Sequence, residues 1–528
     1  MNQTDSLEFL HRVETLKIEV KQILNYEKNE HDKNELTSCL LKLDKEITKK
    51  NFFMTVLTLA SYYVRYRKVE QVRNVCGFVD KNDDLFIYNS LQFIIAQTYR
   101  SQKKFYAEEQ CLSSVFENSD TDMYIKLLSF IPYYYYDTVL VKFINNLIHN
   151  PTLIKDAYGK ISNIKEEYIR VIFEKLKNVD DGKYQKELLK LLQCYLIIRK
   201  ELLVVEKENE HYFAHYTEAS TAVHFMQKED SGEHWNFRLS EASQLNDPKE
   251  GKVLLGYINN LPETEQTEIA VFVASFSFNH DSLNQFRLYG KKQNQEATGV
   301  SVLFKPDFFS TAHDVLNLNT ANKLLAWSNS PLGKEIDNNT KNTRLPLYRC
   351  IYFDPESIIR SNEGEIPYIR IACCDERSFY MQKDKNMDEL EKYNERIKQI
   401  ENNVLEQLNN IKNTVESILQ SSSKDEIIEL IKIILLPLSY LIKHAAYREE
   451  QECRIIQCCS FNDERIDKTG FKDAKIYLPY AYPIAENTIE RVYLSKGAEN
   501  YKKIFQMLGL KEENVRISSN PFRIVSEK

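Results

Sequence analysis

The stretch that decides the reading of this chain is His444-Ala445-Ala446-Tyr447-Arg448-Glu449-Glu450-Gln451-Glu452-Cys453-Arg454, which runs into the apolar pair Ile455-Ile456. Two readings fit it. As the frayed end of a helix, Arg448 pairs with Glu452 and Glu450 with Arg454, four positions apart, as ordinary surface ion pairs. As the start of a β-strand, Glu450, Glu452 and Arg454 alternate onto one face, because residues at i, i+2 and i+4 share a side. Two carboxylates and a guanidinium in a row, on a strand that soon turns apolar, then form a candidate site.

The flanking sequence bears on the choice. Residues 383 to about 447 read as a helical hairpin, with a sparse apolar stripe at Leu390, Tyr393, Ile397, Ile400, Val404 and Leu408 and a break at Ser421-Ser422-Ser423. Its charged outer face is a solvated surface. On both sides of this hairpin the text is β-like. Before it come His211 to Tyr216, Trp235 to Leu239, Ala270 to Phe278, Gly299 to Phe304 and Arg349 to Phe353, the last ended by Asp354-Pro355. After it come Cys453 to Ile456, Lys475 to Leu478, Ile489 to Leu494 and Val515 to Ile517, with a helix from Asn500 to Leu508 ended by Gly509. Aromatic and β-branched residues dominate the strand-like pieces, as pleated surfaces require. Residues 206–528 therefore read as one α+β domain carrying a helical insertion at about 383–447, and the opening stretch falls where strands resume. That position favours the strand reading and makes Glu452 the sharper candidate than Glu450.

Residues 1–205 read as helix after helix. Phe9, Val13, Leu16, Val20 and Ile23 keep one stripe, and Leu36, Leu40, Leu43 and Ile47 another. A weak repeat follows: Ala60, Tyr63 and Lys68 recur as Ala96, Tyr99 and Lys104, thirty-six positions on. A small residue, an aromatic three places later and a second helix after a short turn resemble tetratricopeptide-like packing. The expected architecture is thus an N-terminal all-α helical-repeat solenoid followed by the α+β domain. Such solenoids offer a concave face to a protein or peptide, so this half reads as a sensor or docking arm. The run Tyr133-Tyr134-Tyr135-Tyr136 reads as filling between packed helices.

Composition limits the function classes. The 528 residues carry a net charge of −7, 43% hydrophobic and 28% charged residues, an ordinary globular balance with no global attraction to nucleic acid or anionic membranes. Gly and Pro are scarce, 13 of each, which agrees with much helix and few tight turns. The first residues lack the pattern of a signal peptide, and the apolar run Ile427 to Ile442 is broken by Glu429 and Lys432, so a cytosolic location is expected. None of the ten cysteines forms a Cys-x-x-Cys pair, and buried reduced thiols are expected rather than a metal site. His211 and His215 have the spacing of a helical metal clamp, but on a strand they stand roughly 13 Å apart, too far for one ion.

Four clusters in the second half carry chemistry. They are His215-Tyr216-Thr217, then Phe237-Arg238-Leu239-Ser240 leading to Asn246-Asp247-Pro248-Lys249-Glu250-Gly251, then Ser275-Phe276-Ser277, then the Glu450-x-Glu452-x-Arg454 row. Asp247 before Pro248, with Glu250 three places past Asp247, has the form of a helix capping box. No nucleophile elbow or glycine-rich phosphate loop is present. The order of these clusters, with Gly299-Val300-Ser301-Val302-Leu303-Phe304 between them, resembles bacterial domain-of-unknown-function family 2971 over about residues 211–524. Phe286 stands where that family usually has Trp, and its usual histidine is missing between Asp281 and Gly299.

A His-Tyr-Thr strand, a Ser-x-Ser strand and a late Glu-x-Glu strand also resemble the NAD-binding core of ADP-ribosyltransferases. That resemblance implies NAD as substrate and no metal. It makes His215, with Tyr216, a holder of the adenosine ribose, Ser275 and Ser277 shapers of the nicotinamide pocket, and Glu452 the catalytic carboxylate. Glu450 would orient an acceptor, Arg454 or Lys443 would bind phosphate, and Arg238 would belong to the cofactor site. A sensor fused to an NAD-consuming domain resembles bacterial anti-phage or toxin-like effectors. Two alternatives stand beside this expectation: a non-catalytic binding scaffold in which the charged row is a structural salt-bridge cluster, and a nuclease, which the acidic balance disfavours.

Overall fold

A computed structural model describes the chain apart from residues 1–2, 67, 102–104, 118–119, 131–132, 159, 165, 180–181, 205–211, 228–236, 246–249, 259–267, 290–297, 311–343, 362–363, 381–386, 422–423, 469, 471–474, 481–483, 485–487 and 522–528. The expectations for His211, Trp235, Lys104 and the capping box at Asp247-Pro248 lie outside the described residues, as do the side chains of Tyr133 to Tyr135. The chain packs as two units. One holds Met1–Phe143 and Thr152–Lys165; the other holds Ile144–Pro151, Glu166–Thr311 and Asn339–Lys528.

The named elements of the first unit are all helices among its described residues. Polar caps set several helix starts: Asn29 accepts from the amides of His31 and Asp32, and Thr48 from that of Asn51. The 17-residue helices Lys49–Arg65 and Leu85–Ser101 each open a helix pair, completed by Val69–Cys76 and Phe105–Glu117. Ala60 and Ala96, the small residues of the repeat, are both fully buried. Tyr136, the described member of the tyrosine run, is buried as well.

The second unit begins earlier than the sequence boundary near 205. The helices Glu167–Lys177 and Gly182–Glu201 pack within it, against the insertion helices Met387–Ser421 and Asp425–Ser439. The buried Tyr168 hydroxyl donates to the carbonyls of Ile433 (2.6 Å) and Ile434 (2.9 Å), near Pro437, the one proline inside that helix. An apolar stripe states that a helix has a buried face but not which partner covers it, so periodicity alone grouped these two helices with the solenoid.

Among the described residues thirteen strands complete the unit: β1 (Leu203–Val204), β2 (Phe213–Glu218), β3 (Arg238–Glu241), β4 (Ile269–Ser277), β5 (Gly299–Phe304), β6 (Leu347–Arg349), β7 (Ile351–Ser361), β8 (Gly364–Ile371), β9 (Ile442–His444), β10 (Glu452–Ser460), β11 (Tyr477–Pro479), β12 (Ile489–Leu494) and β13 (Val515–Ile517). The larger sheet runs β1-β6-β10-β4-β2-β5-β12-β13, with β3 on β4 and β11 on β3; the smaller runs β8-β7-β9. β5 is buried at every position and β4 at all but Ser275, so both faces are covered and the polar alternation of a half-exposed strand is missing. On one face Phe237 packs edge to face on Phe308 and Phe276 on Phe304, with the Phe304 and Phe308 rings tilted against each other. Among the described residues no helix is long and apolar enough to cross a membrane.

Two strand expectations differ from the structure. The strand expected to end at Asp354-Pro355 runs on to Ser361, turning at a register shift between Asp354 and Ile358 that absorbs the proline. The insertion helix expected to reach 447 ends at Ser439; Ile442–His444 is a strand and Ala445–Glu450 a 3-10 helix.

Candidate functional site

The site forms where the chain changes sheets. β6 pairs with β10, and the chain leaves that sheet at Cys350, whose amide donates to the Glu452 carbonyl (3.0 Å) while the next amide, of Ile351, donates to Leu441 (2.8 Å). β7 then pairs in parallel with β9. One peptide step thus joins the two sheets and brings Lys443 of β9 against Glu452 at the start of β10.

The turn between those strands carries the deciding stretch. It is neither the helix end nor the strand start over its whole length: Ala445–Glu450 is a 3-10 helix, Gln451 is left-handed at φ 44°, and the strand begins at Glu452. A non-glycine residue at such a φ is strained unless its neighbours hold it. Here the Gln451 side chain accepts from the Cys373 amide (2.8 Å) and donates to the Arg448 carbonyl (2.8 Å), while its own carbonyl accepts from the Phe278 amide (2.9 Å).

The turn aims Glu450 and Glu452 at one ammonium group. Lys443 Nζ donates to Glu450 Oε2 and, at 2.6 Å, to Glu452 Oε2. Arg454 Nε donates to the other oxygen of Glu452 at 2.6 Å, and its Nη1 donates to Glu250 and to the Tyr440 carbonyl (2.6 Å). The Glu452 amide donates to Tyr352 Oη at 2.7 Å. Glu250 precedes Gly251, whose φ of +74° suits glycine and where a Cβ would stand 3.2 Å from the Tyr440 ring, so the loop comes in close to Arg454.

Three carboxylates face two cations in this frame, and the side chains of all five are buried, although Glu250 as a whole residue is half-buried. An unbalanced buried charge is costly, and taking up a proton relieves it. That proton falls to Glu450. Its burial and the neighbouring Glu452 push it up to about 7, against the pull of Lys443. Burial would raise Glu452 too, but Arg454 and Lys443 outweigh it and hold Glu452 well below the usual carboxylate range. Lys443 is raised, because Glu452 and Glu450 overcome the burial that would lower it. The frame therefore holds one fixed anion, Glu452, and one carboxyl able to exchange a proton near neutrality, Glu450.

Glu450 also lines a cavity of about 400 Å³, near the lower end of the ~300–1,000 Å³ typical of small-molecule sites. Tyr289, Tyr447 and Tyr477 give it aromatic walls, and Ser240 and Ser275 add hydroxyls. Arg454 and Lys443 reach its surface already engaged by carboxylates, while Lys475 is exposed. Gly470 makes the Tyr477 wall possible: a Cβ there would stand 2.7 Å from the Lys475 carbonyl and 2.8 Å from the Tyr477 ring.

The register explains which predicted residues meet. Glu452 lies opposite Ser277 and Arg454 opposite Ser275, so these four share one face of adjacent strands. Ser275 lines the cavity; Ser277 is buried, donating to the Glu450 carbonyl (2.7 Å) and accepting from the Asn279 amide (2.9 Å), so it positions the turn. On β2, Ala214 pairs with Ser277, which turns His215 to the opposite face. His215 is ringed there by Phe225, Phe237 and Phe276, with Nδ1 2.9 Å from the Ser275 carbonyl, and burial lowers its pKa. It does not reach the cavity. Tyr216 has the site's face, but its ring packs on Phe286 and its hydroxyl donates to the Asn279 carbonyl (2.7 Å). Arg238 is exposed, paired with Asp467 (3.2 Å) and lying over the Tyr477 ring at 5.6 Å. Tyr289, Tyr477 and Lys475 were missed by sequence reasoning, since Tyr289 caps a short helix while Lys475 precedes and Tyr477 opens an edge strand, places that carry no motif.

A family model described as a protein of unknown function, DUF2971, matches residues 285–455. The match runs from the helix Leu283–Leu288 into β10 and contains Tyr289, Lys443, Tyr447, Glu450, Glu452 and Arg454. No curated protein and no solved structure gives a significant match to the chain.

Proposed function

We propose that the second unit is an enzyme domain that opens the N-glycosidic bond of an NAD-type nucleotide, and that the first unit is a tetratricopeptide-like arm that docks a protein or peptide trigger. One observation carries the reading: Glu450, a carboxyl poised near neutrality, stands on the wall of an aromatic, hydroxyl-bearing cavity beside a second carboxylate locked in place. The adjacency of β10, β4 and β2 supports the ADP-ribosyltransferase-like order of motifs. The ribose contact expected of His215 has no support from its side of the sheet, and the working carboxylate is Glu450 rather than Glu452.

The chemistry follows from charge. When the bond between the sugar C1′ and the pyridinium nitrogen breaks, nicotinamide leaves neutral with the electron pair and needs no acid. Positive charge builds on the sugar, and an ionised Glu450 stabilises it. The same carboxylate takes the proton of the water or acceptor hydroxyl that adds to C1′. Activity should therefore rise with pH through about 7. An NAD-consuming domain governed by a docking arm fits an effector of the bacterial anti-phage or toxin-like kind. The test is release of nicotinamide from labelled NAD by the purified chain, with and without candidate activators.

A second reading has its own support, since each charged group of the frame is already paired inside it. A non-catalytic scaffold would use the cluster for rigidity alone. It predicts no nucleotide binding in the cavity.

A further inference from the structure

The two buried cations at this cavity are committed, and three of its hydroxyls are not. Lys443 is held by Glu450 and Glu452 and lies 5.3 Å from the Tyr447 ring; Arg454 is held by Glu452, Glu250 and a carbonyl. Among the described residues, Lys475 is the cavity-lining cation with no carboxylate partner, and it is exposed at the mouth. The hydroxyls of Tyr289, Ser240 and Ser275 make no hydrogen bond among the described residues. Tyr289 caps the C-terminus of the helix Leu283–Leu288, and its ring packs against the core around Phe286 and Tyr216. Its ring is therefore fixed, while its hydroxyl is left open on the cavity side.

We infer that the cavity recognises its ligand through neutral hydroxyl donors, with Tyr289 the principal one, and so takes the ribose-bearing nucleoside part of the substrate while phosphate groups remain outside, beside Lys475 at the mouth. The inference rests on the nucleotide reading above and adds which part of the molecule is read. Two physical points support it. A cation already bridging two buried carboxylates cannot accept a phosphate without leaving a carboxylate unpaired, which is costly. A phosphate inside would also stand against the excess negative charge of the frame once Glu450 ionises, whereas a sugar supplies the acceptors that open hydroxyls need. The phenol remains a donor at every working pH, because burial and the neighbouring Glu452 and Glu450 raise it.

The test separates binding from turnover. Benzamide riboside is a C-nucleoside whose ring–sugar bond cannot be hydrolysed, and its binding to the full chain can be followed by calorimetry. Binding should survive millimolar inorganic pyrophosphate. Tyr289→Phe should weaken it roughly tenfold, the usual worth of one hydrogen bond to a ligand, and Ser275→Ala by a smaller factor. Lys475→Ala should leave riboside binding unchanged while weakening that of NAD. Competition by pyrophosphate, an unchanged affinity in both hydroxyl variants, or absence of riboside binding would overturn the inference. Riboside binding without any nicotinamide release from NAD would instead sink the catalytic reading and leave this one standing.

Discussion

Replacing Glu450 by Gln keeps the shape of the side chain and removes its ionisation, which isolates the electrostatics of the frame. In the folded chain Glu450 titrates at about 7 against an ordinary value of 4.5. A carboxyl raised on folding holds its proton more tightly in the native state. Its stabilising contribution is complete below about pH 4.5 and is lost as pH climbs through about 7. At about 1.4 kcal/mol per pKa unit, the loss is about 3 kcal/mol. Glu452 acts in the opposite sense, because its value is depressed: its contribution is present above 4.5 and fails only in acid, outside the window of interest. Opening free energies for the amides of Glu452–Ser460, from hydrogen exchange between pH 5 and 9, report on this unit alone. The natural chain should lose about 3 kcal/mol relative to Glu450→Gln across that range, with the variant the more stable at the alkaline end. A difference between the two that stays flat with pH would refute the charge imbalance assigned to the frame.

Other consequences follow from the same contacts. Arg454→Met leaves Glu452 and Glu250 without their shared cation and should cost about 3–5 kcal/mol, seen as loss of native exchange protection in β10. Tyr168→Phe leaves the carbonyls of Ile433 and Ile434 without their donor and should cost about 1–2 kcal/mol, measured by urea unfolding. Gly470→Ala should push the Tyr477 ring out of the cavity wall and weaken ligand binding, with far-ultraviolet circular dichroism unchanged.

The helical first unit and most strands were legible because both leave periodic marks in sequence. The apolar runs of β4 and β5 and the stripe of the long insertion helix gave their elements directly. β9 was not legible: three residues at the end of an apolar helix carry no alternation, and only pairing with β7 makes them a strand. The site was half legible. The Glu-x-Glu-x-Arg row and the two serines were found, and their shared face follows from strand period. The different surroundings of the two glutamates were not legible, because the left-handed turn at Gln451 and the arrival of Lys443 from another sheet depend on tertiary contacts. His215 was placed in the site by its motif, and the single residue of register that sends it to the aromatic face cannot be read from composition.

The most direct test is nicotinamide release from labelled NAD across pH 5 to 9, by the full chain and by Glu450→Gln, in the presence of candidate triggers. A Glu450 mechanism predicts turnover that rises through about pH 7 in the natural chain and a loss of at least about a hundredfold in the variant. Turnover that is equal in both chains, or none in either while the cavity still binds riboside, would contradict it.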